Sequence, residues 1–302
     1  MIIGVLAGGV SSEREISLRS GRAVYEALKK EGYQVKFLDI FDNIYDTIKN
    51  SRIDAAFLAL HGRFGEDGAM QAMLERLKIP YTGSGVKASR LALDKIASKK
   101  IFEKRGIPTP RFAVFEKGAR DIKDAAAMIG WPVVVKPRLE GSSIGLSVAR
   151  DIKGLRRAVE KAFKYGDEIL LEEFIDGREI TVGILGKRAL PVVEIITPGG
   201  VYDTNAKYRD KRTRYIVPAQ LSDRLSKRAQ RLGLAAHQSL GCRAISRVDM
   251  RVDGDNNIFV LEVNSIPGMT ERSLLPKAAC AAGISFSQLC VKLLNLFNER
   301  DV

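Results

Sequence analysis

The residues best suited to chemistry lie in a polar-faced hairpin near the C-terminal end of the chain. Two apolar-rich segments, 247–253 and 258–264, flank the polar turn 254–257, a pattern typical of a β-hairpin. If the strands close around that turn, Met250 lies opposite Leu261. Side chains two residues apart in a strand share a face. One face of the hairpin therefore carries four polar side chains: Arg247, Asp249, Glu262 and Asn264.

This polar face indicates a cation site. Asp249 would lie directly opposite Glu262, and opposed carboxylates repel each other unless a cation lies between them. Two carboxylates and the amide oxygen of Asn264 are hard oxygen ligands, which Mg²⁺ takes together with phosphates and water. The alternative is an ordinary solvated sheet face. The turn at residues 265–270 favours the cation site, because its Pro and Gly let backbone approach a ligand.

Two further segments could bind a nucleotide. Lys136 ends a predicted strand, and the loop 137–145 that follows is rich in Gly and Ser, so its N–H groups and hydroxyls could hold phosphate. The order of a Walker loop is absent, and a plain connection remains the alternative. Residues 172–175 suit an adenine-binding hinge between two lobes, with Glu179 placed to accept ribose hydroxyls. A plain strand–turn–strand is the alternative there.

Composition excludes several classes of protein. The 302 residues are 45% hydrophobic and 28% charged, as in a soluble globular protein of two or three packed units. No apolar segment approaches the roughly 20 residues of a membrane span, and the first residues are typical of a buried strand rather than a signal peptide. The net charge of +13 could indicate a polyanion partner, but Lys and Arg are spread along the whole chain. We expect no nucleic-acid or membrane partner. The three cysteines lack metal-ligand spacing and are expected to be reduced thiols in the cytoplasm: Cys242, Cys280 and Cys290.

The predicted elements form three units. Residues 1–93 alternate strands and helices, as in an open parallel sheet whose ligands gather at the carboxyl ends of the strands. Residues 94–179 form a smaller sheet with helices, after one continuous helix expected at 89–105. Residues 180–302 contain the hairpin and a polar, irregular segment at 201–218, which is long enough to be a lid. The chain is therefore predicted to be α/β, an N-terminal open parallel-sheet domain followed by two α+β lobes.

Taken in order along the chain, these pieces resemble the ATP-grasp superfamily. Several longer segments are similar to the D-alanine–D-alanine ligase family. They lie at 7–17, 60–68, 140–143, 206–208 and 264–270, with Ser273 and Leu274 after them. The resemblance spans almost the whole chain. It implies a two-lobed ATP-grasp fold that grips ATP and Mg²⁺ while a carboxylate is activated as an acyl phosphate. The implied product is D-alanyl-D-alanine, for peptidoglycan precursors.

The resemblance implies nucleotide-binding and metal-binding roles. Lys95 and Lys136 would contact the α and β phosphates, and Lys207 would reach the γ-phosphate. The base and ribose would lie against five residues: Glu172, Glu173, Phe174, Ile175 and Glu179. Two Mg²⁺ ions, for which Mn²⁺ could substitute, would be held by three residues, with the second of them bridging: Asp249, Glu262 and Asn264.

The same resemblance implies roles for residues around the two amino acids. Glu13 would bind the ammonium of the first D-alanine, and Ser142 and Tyr208 would link to Glu13 by hydrogen bonds. Arg247 and the backbone N–H of Gly268 would stabilise the oxyanion of the tetrahedral intermediate. Three more residues would contact the substrates: His61, Ser273 and Leu274. A purely structural hydrogen-bonded role is the alternative for the histidine, and we assign no function to His237.

Tyr208 bears on the second substrate, because relatives that make depsipeptide or D-alanyl-D-serine products have other residues at this position. It favours D-alanine. Ser246 and Met250 depart from the Gly and Phe common in the family, and the lid tail 209–214 is unusually basic. Competing hypotheses are a ligase that joins D-alanine to D-lactate or D-serine, and a basic nucleic-acid-binding protein, which explains none of the spaced motifs. A homodimer is expected from the family alone.

Overall fold

The computed structural model describes residues 1–119, 122–208 and 210–296, without the side chains of Asn205 and Tyr208. The sequence predicts helices near 121–129 and 285–298, and of these ranges residues 121, 297 and 298 lie outside the described part of the chain.

The first part of the chain forms the predicted parallel sheet, with strand order β2-β1-β3. The central strand is an almost fully buried apolar run, as expected of a parallel strand covered on both faces. Helix α2 is short and half exposed, and the apolar periodicity did not predict it. The elements of this unit are β1 (Ile2–Gly8), α1 (Arg14–Lys30), β2 (Gln34–Ile40), α2 (Ile44–Asn50), β3 (Ala55–Leu58), α3 (Ala69–Arg76) and α4 (Val86–Leu93).

The continuous helix expected at 89–105 is wrong, because α4 ends at Leu93 and α5 spans Lys95–Lys104. The residue between them, Asp94, has an extended backbone. Its carboxylate accepts the N–H groups of Ile96 and Ala97 at 3.1 and 3.0 Å, which makes it the N-cap of a new helix. The break places Lys95 at the first position of α5, where its side chain is buried.

The central unit is an antiparallel sheet with strand order β4-β7-β5-β6, covered on one side by two helices. Val133, Val135 and Leu171 pack in one core with Leu155 and Val159, which lie on the helical spacing seen in the sequence. The elements are β4 (Phe112–Glu116), α6 (Ile122–Ile129), β5 (Val133–Pro137), β6 (Ser147–Ala149), α7 (Ile152–Ala162), a 3₁₀ turn (Phe163–Tyr165) and β7 (Glu168–Glu173).

The C-terminal unit is a sheet with strand order β11-β10-β8-β12-β13, in which β9 pairs with β8. The segment 201–218 is less irregular than predicted, because it contains a short helix and an edge strand. The sequence predicts a strand over residues 190–196, but the observed strand begins only at Val193. The elements are β8 (Arg178–Leu185), β9 (Arg188–Ala189), β10 (Val193–Ile196), α8 (Thr204–Tyr208), β11 (Arg214–Ile216), α9 (Asp223–Ser239), β12 (Ile245–Val252), β13 (Ile258–Asn264), α10 (Leu274–Ala281) and α11 (Phe286–Asn295).

The three sheets fall within the three predicted ranges, except that β8 begins two residues before residue 180. The exact domain boundaries stay predictions.

The hairpin of β12 and β13 confirms part of the predicted register. Asp249 pairs with Glu262, but Met250 pairs with Val260, so the predicted pairing of Met250 with Leu261 is wrong. The turn comprises the five residues 253–257 rather than four. Leu261 is the extra residue of a β-bulge, which absorbs that difference before the polar positions are reached.

The last two helices pack against the N-terminal sheet. Leu275, Leu289 and Leu293 share a core with Val5 and Phe57. This core fixes the carboxyl ends of the parallel strands beside the hairpin. Within the described ranges no single helix is long and apolar enough to cross a membrane, and α10 with α11 passes that test only as a pair bent by 100°.

Candidate active site

Two cavities meet between the N-terminal sheet, the Gly-Ser loop (residues 137–145) and the hairpin. The first cavity has a volume of about 790 Å³ and lies between the central and C-terminal sheets. The second cavity extends to the carboxyl ends of the N-terminal strands. Five residues line both cavities: Lys95, Glu140, Tyr202, Lys207 and Glu262.

The first cavity is lined by both apolar and charged side chains. Val134, Ile144 and Leu261 are among its apolar residues. Every residue predicted to contact a nucleotide lines this cavity: Lys95, Lys136, Glu172, Glu173, Phe174, Ile175, Glu179 and Lys207.

A buried charge cluster lies behind this cavity. Each carboxylate oxygen of Glu172 contacts one ammonium group, that of Lys99 or that of Lys136. Lys99 Nζ also donates to Thr109 Oγ1 at 2.6 Å, and that hydroxyl donates to the carbonyl oxygen of Val260 at 2.8 Å. Burial would raise the pKa of Glu172, but the charges of the two lysines outweigh it and lower the pKa. The cluster is therefore two ammonium groups and one carboxylate, with a net charge of +1.

The polar face of the hairpin forms as predicted at the boundary between the cavities. Nε and Nη2 of Arg247 donate to the two carboxylate oxygens of Asp249, both at 2.8 Å. Thr181 Oγ1 donates to the same carboxylate at 2.7 Å. Asn264 Oδ1 accepts the N–H of Ile266 at 3.0 Å, which fixes the amide at the start of the turn.

Glu262 stays ionised at this boundary. Burial would raise its pKa, but the charges of Lys95, Lys207, Lys136 and Arg247 outweigh that effect and lower the pKa to about 2. Lys95 Nζ lies 3.8 Å from Glu262 Oε2. The carboxylate is therefore a fixed negative charge surrounded by cations.

The hairpin residues fit a divalent cation whose remaining coordination positions would be filled by oxygen atoms of a ligand. In the described part of the chain no cluster of three or more His, Cys, Asp and Glu side chains is arranged to hold a metal. Asp249 lines the first cavity, Asn264 the second and Glu262 both. Two carboxylates and an amide suit Mg²⁺, which is usually bound by one or two carboxylates together with phosphates and water.

The second cavity is lined by Glu13, an acidic residue that is nevertheless buried. Ser142 Oγ donates to Glu13 Oε1. Glycine in the adjoining backbone leaves room for this carboxylate, because a Cβ at Gly141 or Gly62 would lie 2.9 or 2.7 Å from Glu13 Oε2 in its present position. Two predicted contacts, Glu13 and Ser142, are thus brought together across the domain boundary.

His61 holds the turn that follows the hairpin. Its Nδ1 lies 3.1 Å from the carbonyl oxygen of Ile266, which can only accept, so Nδ1 carries the proton. Its Nε2 lies 3.2 Å from Ser20 Oγ, and Ser20 Oγ accepts the N–H of Met269 at 3.3 Å. Both ends of the turn around Gly268 are fixed by this chain. His61 lines the second cavity, and its predicted substrate contact stays a prediction.

The remaining predicted residues also line the second cavity. They are Arg247, Gly268, Ser273 and Leu274.

The lid, residues 201–218, is closed over the Gly-Ser loop. Lys207 Nζ donates to Ser143 Oγ at 3.0 Å, and Thr204 Oγ1 donates to the carbonyl oxygen of Ser142 at 2.6 Å. The side chain of Tyr208 lies outside the described residues, so its link to Glu13 stays a prediction.

Comparison with known proteins decides the family. Residues 101–295 match the family model described as D-ala D-ala ligase C-terminus, and residues 41–84 match the one described as D-ala D-ala ligase N-terminus. The chain belongs to the D-alanine–D-alanine ligase family. A D-alanine–D-alanine ligase of Citrifermentans bemidjiense is 47% identical over 97% of this chain and 94% of the relative. One from Syntrophotalea carbinolica is 46% identical, with the same coverage.

Solved structures of the family share the fold. A D-alanine–D-alanine ligase from Bacillus anthracis complexed with ATP is 36% identical, with a TM-score of 0.88 over 99% of this chain and 98% of that one. A D-Ala:D-Ser ligase from Enterococcus faecalis is 29% identical, with a TM-score of 0.85 over 98% and 99% of the two chains.

Two charged residues of this family member were missed by the reasoning from sequence. Lys99 lies one helical turn after Lys95, a spacing that places both on one face of α5. Arg251 lies two residues after Asp249 in β12 and therefore shares its face. In both cases the residue spacing indicates on which face of the element the cation lies. It does not indicate the partners, Glu172 and Glu179, which are distant in the sequence.

Proposed function

We infer that this protein joins two molecules of D-alanine into D-alanyl-D-alanine, with conversion of ATP to ADP and phosphate, in the synthesis of peptidoglycan precursors. The observation that carries this inference is the shared boundary of the two cavities. Lys95, Lys207 and Glu262 line both, so a phosphoryl group held in the first cavity can meet an acceptor in the second. The activity is also the one named for the relatives.

The first cavity suits ATP. The base would lie between apolar residues such as Phe174 and Leu261, and Glu179 would accept the ribose hydroxyls. The phosphates would extend toward Lys136 and Lys95. The net positive charge of the cluster behind Lys136 favours them there.

The γ-phosphate would lie at the boundary of the cavities, where Lys207 of the lid can reach it. Asp249, Glu262 and Asn264 would hold Mg²⁺, which when bound draws charge from the γ-phosphoryl group and favours its transfer.

The first step forms an acyl phosphate. A carboxylate oxygen of the first D-alanine attacks the γ-phosphorus, the bond to the bridging oxygen breaks, and ADP leaves. Glu13 would bind the ammonium of this D-alanine, because its buried carboxylate lines the second cavity and the resemblance to the family assigns it this contact. Holding the carboxylate in line with the phosphorus lowers the entropic cost of this step.

The second step forms the peptide bond. The amine of the second D-alanine attacks the acyl carbon, giving an oxyanion, and phosphate then leaves. Arg247 uses Nε and Nη2 for Asp249, so Nη1 remains to stabilise the oxyanion together with the N–H of Gly268. The proton lost by the amine would pass to the Ser142–Glu13 pair, with Tyr208 beside it.

The carboxylate of the second D-alanine would lie at the start of α10. Ser273 is the N-cap of this helix and Leu274 its first residue, and backbone N–H groups at a helix N-terminus favour an anion. Selectivity for D-alanine at this position rests on Tyr208. We further propose that the protein works as a homodimer.

The test is release of ADP from ATP and Mg²⁺, with the product identified by mass. D-alanine alone should give D-alanyl-D-alanine. A mixed product formed in preference from D-alanine with D-lactate or D-serine would overturn the specificity. Absence of D-alanine-dependent turnover would overturn the activity.

A further inference from the structure

The guanidinium group of Arg251 contacts three segments of the chain around the first cavity. Its side chain lies in β12, is 7% exposed and lines that cavity. Nη1 donates to the carbonyl oxygen of Gly200 at 2.9 Å and lies 3.3 Å from Glu179 Oε2. Nη2 donates to the carbonyl oxygen of Gly177 at 2.9 Å. The guanidinium carbon lies 5.1 Å from the centroid of the Phe174 ring.

Two of these contacts lie on the nucleotide side of the cavity. Phe174 belongs to the interlobe hinge, residues 172–175, and Gly177 is in the turn that follows it. A Cβ at Gly177 would lie 2.0 Å from the carbonyl oxygen of Val252, so this turn is pressed directly against β12. Arg251 therefore contacts a backbone that has little freedom to move.

The contact with Gly200 lies at the base of the lid. Gly199 and Gly200 join β10 to the lid, and a Cβ at either would meet nothing within 4 Å. Gly200 has a φ of 67°, in the region that glycine adopts readily. This is a place where the backbone can pivot. The hydrogen bond from Arg251 to the Gly200 carbonyl holds the pivot in the closed position.

The arrangement keeps one donor unsatisfied. Nε of Arg251 is buried and has no hydrogen-bond partner among residues 1–119, 122–208 and 210–296. A buried unsatisfied donor is destabilising, so this arginine does not optimise stability alone. Such costs concentrate at functional sites.

We propose that Arg251 is a positioning residue that couples nucleotide binding to closure of the lid. The proposal rests on the proposed function, in that the first cavity takes ATP. The ribose of the nucleotide fixes Glu179, and its base lies against the interlobe hinge. Both contacts hold the guanidinium group of Arg251 where it can bind the Gly200 carbonyl. By linkage, a closed lid raises nucleotide affinity by the same factor.

The test compares Arg251→Met with wild type by calorimetric titration with ADP and Mg²⁺ and by limited trypsin digestion. Lys211, Arg212 and Arg214 are exposed cleavage sites on the lid. In wild type, saturating ADP should slow cleavage at these sites. The variant should bind ADP roughly tenfold more weakly, within the usual range of coupling factors. At saturation its lid should still be cleaved at the nucleotide-free rate.

Two further variants control this experiment. Arg188→Met removes an exposed arginine from β9 of the same sheet, and its lid should be protected as in wild type. Arg251→Lys keeps the charge, but one ammonium cannot span the carbonyl oxygens of Gly177 and Gly200, so partial protection is expected. Full protection of the Arg251→Met lid by saturating ADP would overturn the coupling. If wild type itself did not bind ADP, both the proposed function and the coupling would be overturned.

Discussion

Replacement of Glu172 by glutamine should destabilise the protein strongly, because it removes the one carboxylate that both buried lysines contact. The side chains of Glu172 and Lys99 are each 1% exposed, and that of Lys136 is 11% exposed. Removing one partner of a buried ion pair costs about 3–5 kcal/mol. At roughly 2–4 °C per kcal/mol, the melting temperature should fall by roughly 6–20 °C near neutral pH.

The loss of stability in Glu172→Gln should become smaller as the pH rises. Burial lowers the pKa of Lys99 below its ordinary value of 10.5, and Glu172 is the main charge that opposes this effect. At pH values between the pKa of Lys99 in the folded protein and its higher pKa in the unfolded chain, the unfolded chain binds more protons. The free energy of unfolding therefore increases with pH in this range. Thermal melts of wild type and Glu172→Gln should therefore lie closer together at about pH 9.5 than at about pH 7.

The matched control is the next residue. Glu173 pairs with Arg111, whose side chain is 65% exposed, and exposed pairs contribute about 0–1 kcal/mol. Glu173→Gln should therefore change the melting temperature only slightly. A Glu172→Gln protein that melts within about 2 °C of wild type at pH 7 would refute the electrostatic account of the cluster. Adding Lys99→Met to Glu172→Gln should recover much of the loss, because it removes the more deeply buried uncompensated charge.

Three further predictions concern residues that line the second cavity. Glu262→Gln should lower kcat by roughly 10²–10³ while ADP binding persists, and unchanged turnover would contradict the metal assignment. The pKa of Glu262 is about 2, below the ordinary 4.5, so its stabilising effect is complete above 4.5 and is lost as the pH falls toward 2. The difference in melting temperature between wild type and Glu262→Gln should thus diminish from about pH 6 to about pH 3. In Gly268→Ala the new Cβ would lie 3.0 Å from Ser273 Oγ, so initial rates should show a lower kcat with the KM for ATP nearly unchanged. A raised KM for ATP alone would argue against a role at the oxyanion.

The polar face of the hairpin was predictable because alternation in a strand is a local rule. The pairing of Asp249 with Glu262 followed from it. The bulge was not predictable, since a five-residue turn with one extra strand residue and a four-residue turn with none give the same pairing at these positions. The helix break at Asp94 had a signal in the capping preference of Asp, but apolar periodicity continued across it.

The supporting charges could not be predicted from local pattern. Lys99 and Glu172 lie 73 positions apart in the sequence and 72 positions separate Arg251 from Glu179, and only the folded sheets bring them together. Helical and strand spacing indicated which way each cation points. The partner at the other end of each pair depends on how β7 and β8 lie against α5 and β12, which no single segment specifies.

The bulge at Leu261 also changes what one strand can present. In a regular strand, neighbouring side chains face opposite ways, but here Leu261 and Glu262 both line the first cavity. An apolar group and a charged one thus stand side by side on the same wall. Deletion of Leu261 would join Val260 directly to Glu262 and leave both paired with their present partners, Met250 and Asp249. The carboxylate would keep its orientation while the cavity lost an apolar side chain beside it, so the length of this strand sets the apolar lining of the cavity separately from the placement of the acid.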